Sequence, residues 1–203
     1  MVANRNGIKV FVSSTVHEVQ NDLDHVYALL DSYGYDVMLS HKGTIPLNSK
    51  VESAFQSCLQ GVKDCDVFLG FIRPSEGSGK NDREALSITA QEFELAYQLN
   101  KLRFVMADYR VEFAHSYAKA YCKARGTDYK TDVVDTKLVS KGCVELYRFA
   151  ILDDSSVMPS DRIGNWVQPY DCCSFHRMSD VDLFLEAQFK DVNRIIHILR
   201  DGQ

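Results

Sequence analysis

The sequence predicts an α/β fold in which a parallel β-sheet of about five strands is flanked by helices. Three observations predict it. Short β-rich segments alternate with amphipathic helical segments, the third β-rich segment is apolar throughout, and 203 residues suffice for one hydrophobic core. An uninterrupted apolar strand is typical of the middle of a sheet covered on both faces. We therefore expect one domain over residues 1–203, with a core of 8–108 plus 164–200 and an insertion at about 109–163.

Two strand–helix units open the chain. Ile8–Ser13 is rich in β-branched and aromatic residues and predicts the first strand. The helix after it has apolar residues at helical spacing as far as Gly34, and Thr15 with Glu18 has the form of a capping box. A second strand at 35–39 precedes a second amphipathic helix.

The same alternation continues to the fourth strand. The third strand is predicted over 66–72, a polar loop follows, and the third helix covers 89–100. Residues 102–107 form the fourth strand. Right-handed crossovers between these strands predict a crevice at their carboxyl ends, where ligands of such sheets bind.

After the fourth strand, the alternation of β-rich and helical segments becomes less regular. Spacing and composition favour a helix over 111–125, an extra strand at 147–152 and a fifth strand at 165–168 that Pro169 ends. The apolar residues between 181 and 199 predict one final amphipathic helix.

Composition and charge exclude some classes of partner. The chain has 23 Lys plus Arg against 28 Asp plus Glu, a net charge of -5, so it lacks the basic excess that binding to DNA or RNA usually requires. No apolar run approaches the ~20 residues of a membrane span, and the N-terminal residues are polar. We expect a cytoplasmic protein that binds neither polymeric nucleic acid nor a membrane.

Familiar catalytic and metal-binding patterns are absent from the sequence. The closest approach to a metal cluster, Cys172, Cys173 and His176, contains two adjacent cysteines that cannot easily chelate one ion. Gly77-Ser-Gly-Lys80 lacks the first glycine and the final Ser or Thr of a phosphate loop. No metal and no resident cofactor are therefore expected, and a hydrolytic triad has no support.

Glu92 is the candidate catalytic residue. It shares its helix with Glu94, but residues two apart point to nearly opposite sides of a helix. Glu92 lies on the inward stripe with Leu95, Ala96 and Leu99, whereas Glu94 lies on the wet side. An inward carboxylate needs a partner or a function. The residues alone leave two roles open, a reactive group or a first-turn carboxylate that bonds free backbone N–H groups.

Four further residues are candidate substrate-binding groups at the predicted crevice. Ser13 and Ser14 end the first strand, where hydroxyl groups suit a phosphate or a ribose. Arg73 follows the third strand and could clamp a pyrophosphate, although a solvated loop arginine explains it equally well. His41 follows the second strand and is the one histidine placed near the crevice.

The helix that carries Glu92 resembles a known superfamily. The spacing Glu92-x-x-x-Ala96-x-x-x-x-Lys101, followed by an apolar strand, resembles a segment of nucleoside 2-deoxyribosyltransferases and the glutamate helix of TIR domains. The opening Val10-Phe-Val-Ser-Ser-Thr15 looks like the first strand of the same superfamily.

Together with the third strand and the Thr-x-x-Glu-Phe helix, these motifs are similar to a group of TIR-like bacterial domains found in defence-associated and signalling proteins. The likeness covers about 8–108. It implies a flavodoxin-like, TIR-like fold. It also implies an enzyme that cleaves the N-glycosidic bond of NAD or a related nucleotide, with NAD as substrate, and that generates a signal in antiphage defence.

The resemblance gives Glu92 a role and leaves rival functions open. Glu92 would contact the ribose next to nicotinamide or, as in deoxyribosyltransferases, attack the anomeric carbon. The expected partners are a small-molecule nucleotide and either further copies of the chain or a downstream effector protein. One alternative is a nucleoside or nucleotide deoxyribosyltransferase or hydrolase. The other is a non-catalytic module that binds a partner or senses a ligand.

Overall fold

The computed structural model of the protein describes residues 6–14, 20–46, 53–76, 86–129, 138–152, 167–171 and 178–201. It has five strands: β1 (Lys9–Ser13), β2 (Asp36–Met38), β3 (Val67–Ile72), β4 (Leu102–Asp108) and β5 (Val167–Tyr170). The α-helices are α1 (Gln20–Ser32), α2 (Ala54–Asp64), α3 (Ile88–Gln98), α4 (Tyr109–Arg125), α5 (Lys141–Ala150), α6 (Met178–Phe189) and α7 (Val192–Asp201), and Ser40–Lys42 forms a 3-10 turn.

The strands form one sheet in the order β2-β1-β3-β4-β5, and every neighbouring pair is parallel. This is the strand order of flavodoxin-like folds, so the predicted fold class is confirmed. The chain moves outward from β1 to β2 and then returns past β1 to β3, which places the topological switch point between β1 and β3. Ser13 pairs with Gly70 across that switch point.

Each face of the sheet carries its own hydrophobic core. Side chains from α1, α6 and α7 pack on one face, against alternate residues of the strands such as Val12 and Leu69. Side chains from α2, α3, α4 and α5 pack on the other face, against the intervening residues such as Phe11 and Phe68. All six residues of β3 are buried, as predicted for the middle strand. Side chains alternate between the two faces of the sheet along a strand. Ser13, two residues after Phe11, therefore points toward α2 and α3 as Phe11 does.

The segment predicted as an extra strand at 147–152 is instead helical as far as Ala150. It falls in α5, which begins where the Ser140 side chain accepts a hydrogen bond from the backbone N–H of Cys143. Cys143, Val144 and Tyr147 are buried at helical spacing against the sheet. Packing of this apolar stripe therefore outweighs the local β propensity of the sequence.

The C-terminal segment also differs from its prediction. The single final helix is two helices, because the Asp191 side chain accepts a hydrogen bond from the backbone N–H of Arg194 and starts α7. Strand β5 continues through Pro169, which had been expected to end it. A proline is tolerated there because β5 is an edge strand, where an N–H group facing away from the sheet has no partner to lose.

Helix α3 agrees with its prediction except at its end. Leu99, predicted to point inward, is exposed because the helix stops at Gln98 and the helical periodicity ends with it. Asn100 follows in the left-handed conformation, at φ 48°. Asparagine is one of the few residues other than glycine that adopts it readily, so the chain can turn into β4.

No helix in the described ranges is both long and apolar enough to cross a membrane.

Gly70 lets α3 approach the sheet closely. A Cβ atom at Gly70 would lie 2.2 Å from Cζ of Phe93, whose ring packs edge-on against Phe68. We expect Gly70→Ala to lower the free energy of unfolding by about 1–3 kcal/mol, the usual effect of overpacking a core. Urea denaturation measures this. Adding Phe93→Leu should recover part of the loss, whereas strictly additive effects would contradict the predicted clash.

Candidate active site

The site begins with a buried hydroxyl group at the switch point of the sheet. Ser13 is the last residue of β1, and its side chain is buried on the face covered by α2 and α3. Its backbone partner on the neighbouring strand is Gly70, which has no side chain. A polar side chain in this apolar layer requires a hydrogen-bond partner.

Glu92 is that partner. The Oγ atom of Ser13 donates to Oε2 of Glu92 at 2.5 Å, a contact between residues 79 positions apart. Glu92 lies one turn into α3 and is only 5% exposed. The predicted inward orientation of Glu92 is therefore observed, and its carboxyl group accepts a hydrogen bond from the Ser13 side chain, while the first turn of α3 is capped by Ser87 instead.

Cys58 of α2 supplies a second contact that the sequence did not assign to the site. Its place on the apolar stripe of α2 indicates a core residue, and it does pack partly buried against the core formed by α2, α3 and the sheet. Its thiol also hydrogen-bonds to the Glu92 carboxyl group. Burial, together with the charge and hydrogen bond of Glu92, raises the pKa of Cys58 to about 12, so the thiol stays protonated and acts as a donor.

Burial controls the charge of Glu92. Loss of hydration raises its pKa from 4.5 to about 7, while the hydrogen bonds from Ser13 and Cys58 act in the opposite direction. Because burial prevails, the carboxyl group changes charge near neutral pH, in the range where an acid or base can exchange protons with a substrate. Strongly shifted carboxyl groups in this kind of position are concentrated at functional sites.

The rest of the glutamate motif fixes α3 in place. Ala96 is completely buried one turn after Glu92 and packs in the core between α3 and the sheet. The ammonium group of Lys101 donates to the backbone oxygens of Lys63 and Cys65, each at 2.6 Å. Lys101 therefore ties the end of α2 to the start of β4. This contact helps to hold Cys58 and Glu92, on two different helices, in register.

The other predicted binding residues lie at the same edge of the sheet but have different partners. Arg73 follows β3 and lies 3.5 Å from the Asp22 carboxylate of α1. His41 lies in the 3-10 turn after β2, and its Nε2 atom is 2.7 Å from Oδ1 of Asp24. Ser14 is partly exposed directly after β1. The observed contacts join Ser13 to Glu92, whereas α1 carboxylates hold Arg73 and His41.

Three patterns weighed from the sequence lie outside the described residues. They are the Thr15 and Glu18 capping box, the Gly77–Lys80 segment, and the cysteine–histidine group at 172–176.

Replacing Ser13 with alanine tests the electrostatics of the site. Without the hydroxyl donor the carboxylate form is less well stabilised, so the pKa of Glu92 should rise further above its ordinary value. The measurement is a ¹³C NMR titration of the glutamate carboxyl carbons, with the Glu92 signal assigned by its loss in Glu92→Gln. Ser14→Ala should leave the titration unchanged. A downward shift in Ser13→Ala would contradict the hydrogen bond.

Comparison of the sequence with models of protein families gives a match. A family model described as a domain of unknown function, DUF4062, matches residues 9–148. The matched range begins at β1 and ends in α5, so it contains Ser13, Cys58 and Glu92. A search of curated proteins finds no match. Because the match covers more than half of its length, the chain belongs to the DUF4062 family.

Proposed function

We propose that this protein is a TIR-like enzyme that cleaves the N-glycosidic bond of NAD or a related nucleotide, with Glu92 as its catalytic residue. One observation carries the proposal: a buried carboxyl group, with a pKa raised to about 7, bonds Ser13 at the switch point of a parallel sheet. Open parallel sheets bind their ligands in the crevice at that point, beyond the carboxyl ends of the strands.

The chemistry of the bond suits such a group. When the bond between the ribose anomeric carbon and the pyridinium nitrogen breaks, its electron pair leaves with neutral nicotinamide and positive charge develops on the sugar. A carboxylate in a poorly hydrated site stabilises that charge strongly, because little water competes with it. Water then adds to the anomeric carbon and releases a proton. Glu92 in its charged form can also attack the same carbon and hold the sugar covalently.

Groups near Glu92 are placed to bind the remaining parts of a nucleotide. Ser14 and Arg73 lie at the carboxyl ends of β1 and β3, the two strands that flank the switch point. A guanidinium group suits a pyrophosphate because it donates in a planar fork. Since Arg73 lies 3.5 Å from Asp22, the nucleotide would have to compete with that carboxylate, whose side chain is partly exposed.

Access to Glu92 sets a requirement on binding. Only 5% of Glu92 is exposed, so a ribose can reach the carboxyl group only when the side chains that cover it move. Substrate binding is therefore expected to be coupled to a local rearrangement, which lets binding energy drive the assembly of the site.

Measurement of base release distinguishes the proposed reaction from its rivals. The full chain, at high protein concentration, is incubated with NAD and separately with deoxynucleosides plus a second free base. Nicotinamide release from NAD supports the proposal. Transfer of deoxyribose between bases, without nicotinamide release, would show a deoxyribosyltransferase instead. If neither reaction occurs although calorimetry detects NAD binding, the site senses a ligand and the catalytic proposal is wrong.

The biological setting follows from the same proposal. An enzyme that consumes NAD or converts it into another nucleotide can act as a switch in bacterial antiphage defence, either by depleting the cell's NAD or by producing a signal for an effector protein. The resemblance of the motifs to TIR-like domains supports this setting. Mass spectrometry of the nucleotide product would separate a linear product from a cyclic one.

A further inference from the structure

The face of α4 opposite the core carries a row of exposed aromatic side chains. Tyr109, Phe113, Tyr117 and Tyr121 recur every four residues and are 49%, 69%, 58% and 37% exposed. Phe113, Tyr117 and Tyr121 stack on one another with ring centroids 6.0–6.3 Å apart. Arg125 continues the row and lies over the Tyr121 ring at 5.0 Å. We call these five residues the aromatic ridge.

A row of small residues runs beside this ridge. Ser116, Ala120 and Ala124 are also exposed and also recur every four residues. Each lies three positions after one of the aromatic residues, so on the helix surface it is the neighbour of that residue. The same helix face therefore presents a ridge and, next to it, a shallow groove.

We propose that α4 is the interface of a two-fold symmetric dimer, in which the aromatic ridge of each copy packs into the small-residue groove of the other. Helices commonly pack with such rows interdigitated, ridge into groove, when both rows follow the four-residue spacing. An isologous interface must be self-complementary, and a helix face that carries both shapes satisfies this condition. With the axis near Tyr117, Phe113 of one copy approaches Tyr121 of the other.

Charge along α4 favours the antiparallel arrangement that a two-fold axis requires. Glu112 lies in the first turn, whereas Lys123 and Arg125 lie in the last turn. The charge of Arg110, also near the start, is compensated because its guanidinium group pairs with Asp108 at 2.7 Å. Around an axis near Tyr117, the acidic start of each helix therefore faces the basic end of the other.

The area of the ridge is consistent with a reversible dimer. A large aromatic side chain buries about 150–250 Å² when fully covered, so covering the exposed parts of the four rings buries roughly 300–500 Å² per copy. The groove and the charged ends add to this. The total reaches the lower end of the range for specific interfaces, roughly 1,200 Å² over both copies. We therefore expect association that depends on protein concentration.

Sedimentation equilibrium of the full chain tests the dimer. The wild-type protein should show a monomer–dimer equilibrium, and Tyr117→Glu should raise the dissociation constant at least ~30-fold, as loss of a central aromatic anchor does. Leu183→Glu, at an exposed apolar position on α6, is the matched control and should leave the equilibrium unchanged. Circular dichroism verifies that both variants fold. A wild-type protein that remains monomeric overturns the proposal, as does a dimer weakened by Leu183→Glu but not by Tyr117→Glu.

A charge exchange tests the antiparallel geometry. Glu112→Lys and Lys123→Glu should each weaken the dimer, and the double variant should recover most of the wild-type affinity, because opposite charges again face each other. Failure of the double variant to recover overturns the two-fold arrangement. Since the readout is molecular mass, these results do not depend on whether Glu92 cleaves a glycosidic bond.

Discussion

Replacing Glu92 with glutamine is expected to reduce nicotinamide release from NAD by at least about a thousandfold. Glutamine keeps the shape of the side chain and can still accept the Ser13 hydrogen bond, but it cannot carry the negative charge that stabilises a developing sugar cation. The loss should appear in kcat more than in KM, because the charge interaction is strongest in the transition state. Single-turnover measurement of base release by liquid chromatography provides the rate.

Glu94→Gln is the matched control for this prediction. It makes the same chemical change two residues away on α3, and nothing in the site geometry gives Glu94 a role. Its activity should equal that of the wild type. Unchanged base release by Glu92→Gln, or an equal loss in Glu94→Gln, would remove Glu92 from the catalytic role. Activity of the wild type should rise with pH through about 7 as Glu92 ionises.

The same substitution is expected to raise the stability of the folded protein, relative to the wild type, as the pH rises from 4.5 to 8. The Glu92 pKa is about 7 in the folded protein against 4.5 for a glutamate exposed to water, so between these two pH values the unfolded chain binds fewer protons than the folded one. Stability of the wild type therefore contains a contribution that falls as the pH rises from 4.5 to 7 and stays constant above it. A pKa difference of this size corresponds to about 3 kcal/mol in the free energy of unfolding.

Glutamine is neutral throughout this pH range, so the stability of Glu92→Gln lacks the decrease that ionisation of Glu92 causes in the wild type. The variant should gain stability relative to the wild type by up to about 3 kcal/mol between pH 4.5 and pH 8. Urea denaturation of both proteins at these two pH values gives the difference. Glu94→Gln again serves as control and should show no comparable gain. An equal stability gap at both pH values would mean that the Glu92 carboxyl group ionises normally, and it would remove the electrostatic basis of the proposed mechanism.

The two predictions are linked by the position of Glu92. A buried carboxyl group lowers the stability of the fold when it is charged. An apolar side chain would fill the same space without the desolvation penalty, so packing alone does not explain Glu92. Its presence is explained if the charge is needed for a reaction, because active sites commonly trade stability for function. Ser13 and Cys58 reduce the penalty without removing it.

Much of the fold was predictable because parallel α/β sheets have strong local signals. The apolar run of β3 and the helical spacing of α1 to α3 appear directly in the sequence, and the crossover rule then restricts the order of the strands. The inward orientation of Glu92 was also predictable, since it follows from its spacing to Ala96. Prediction was poorer after β4, where the sequence predicts a strand at 147–152 but residues as far as Ala150 belong to α5.

Contacts between distant segments were not predictable from spacing. Cys58 looked like a core residue because its stripe on α2 is apolar, and only the packing of α2 beside α3 brings its thiol to Glu92. Arg73 and His41 were predicted at the crevice, but sequence could not show that Asp22 and Asp24 pair with them. The exposure of the aromatic ridge of α4 was also not predictable. Apolar residues at helical spacing usually mark the buried face of a helix, and only the packed structure shows that this face of α4 is exposed.

The sequence by itself therefore determined the layers of this protein and the side of α3 on which its unusual carboxyl group lies, because both depend on periodicity within single elements. Only the tertiary structure decided what that carboxyl group meets. Ser13 and Glu92 are 79 positions apart, and they touch because β1 lies beside β3 and a side-chain-free Gly70 lets α3 settle onto the sheet. The raised pKa is a property of that packing, since loss of water around Glu92 arises only when the two helices and the sheet come together.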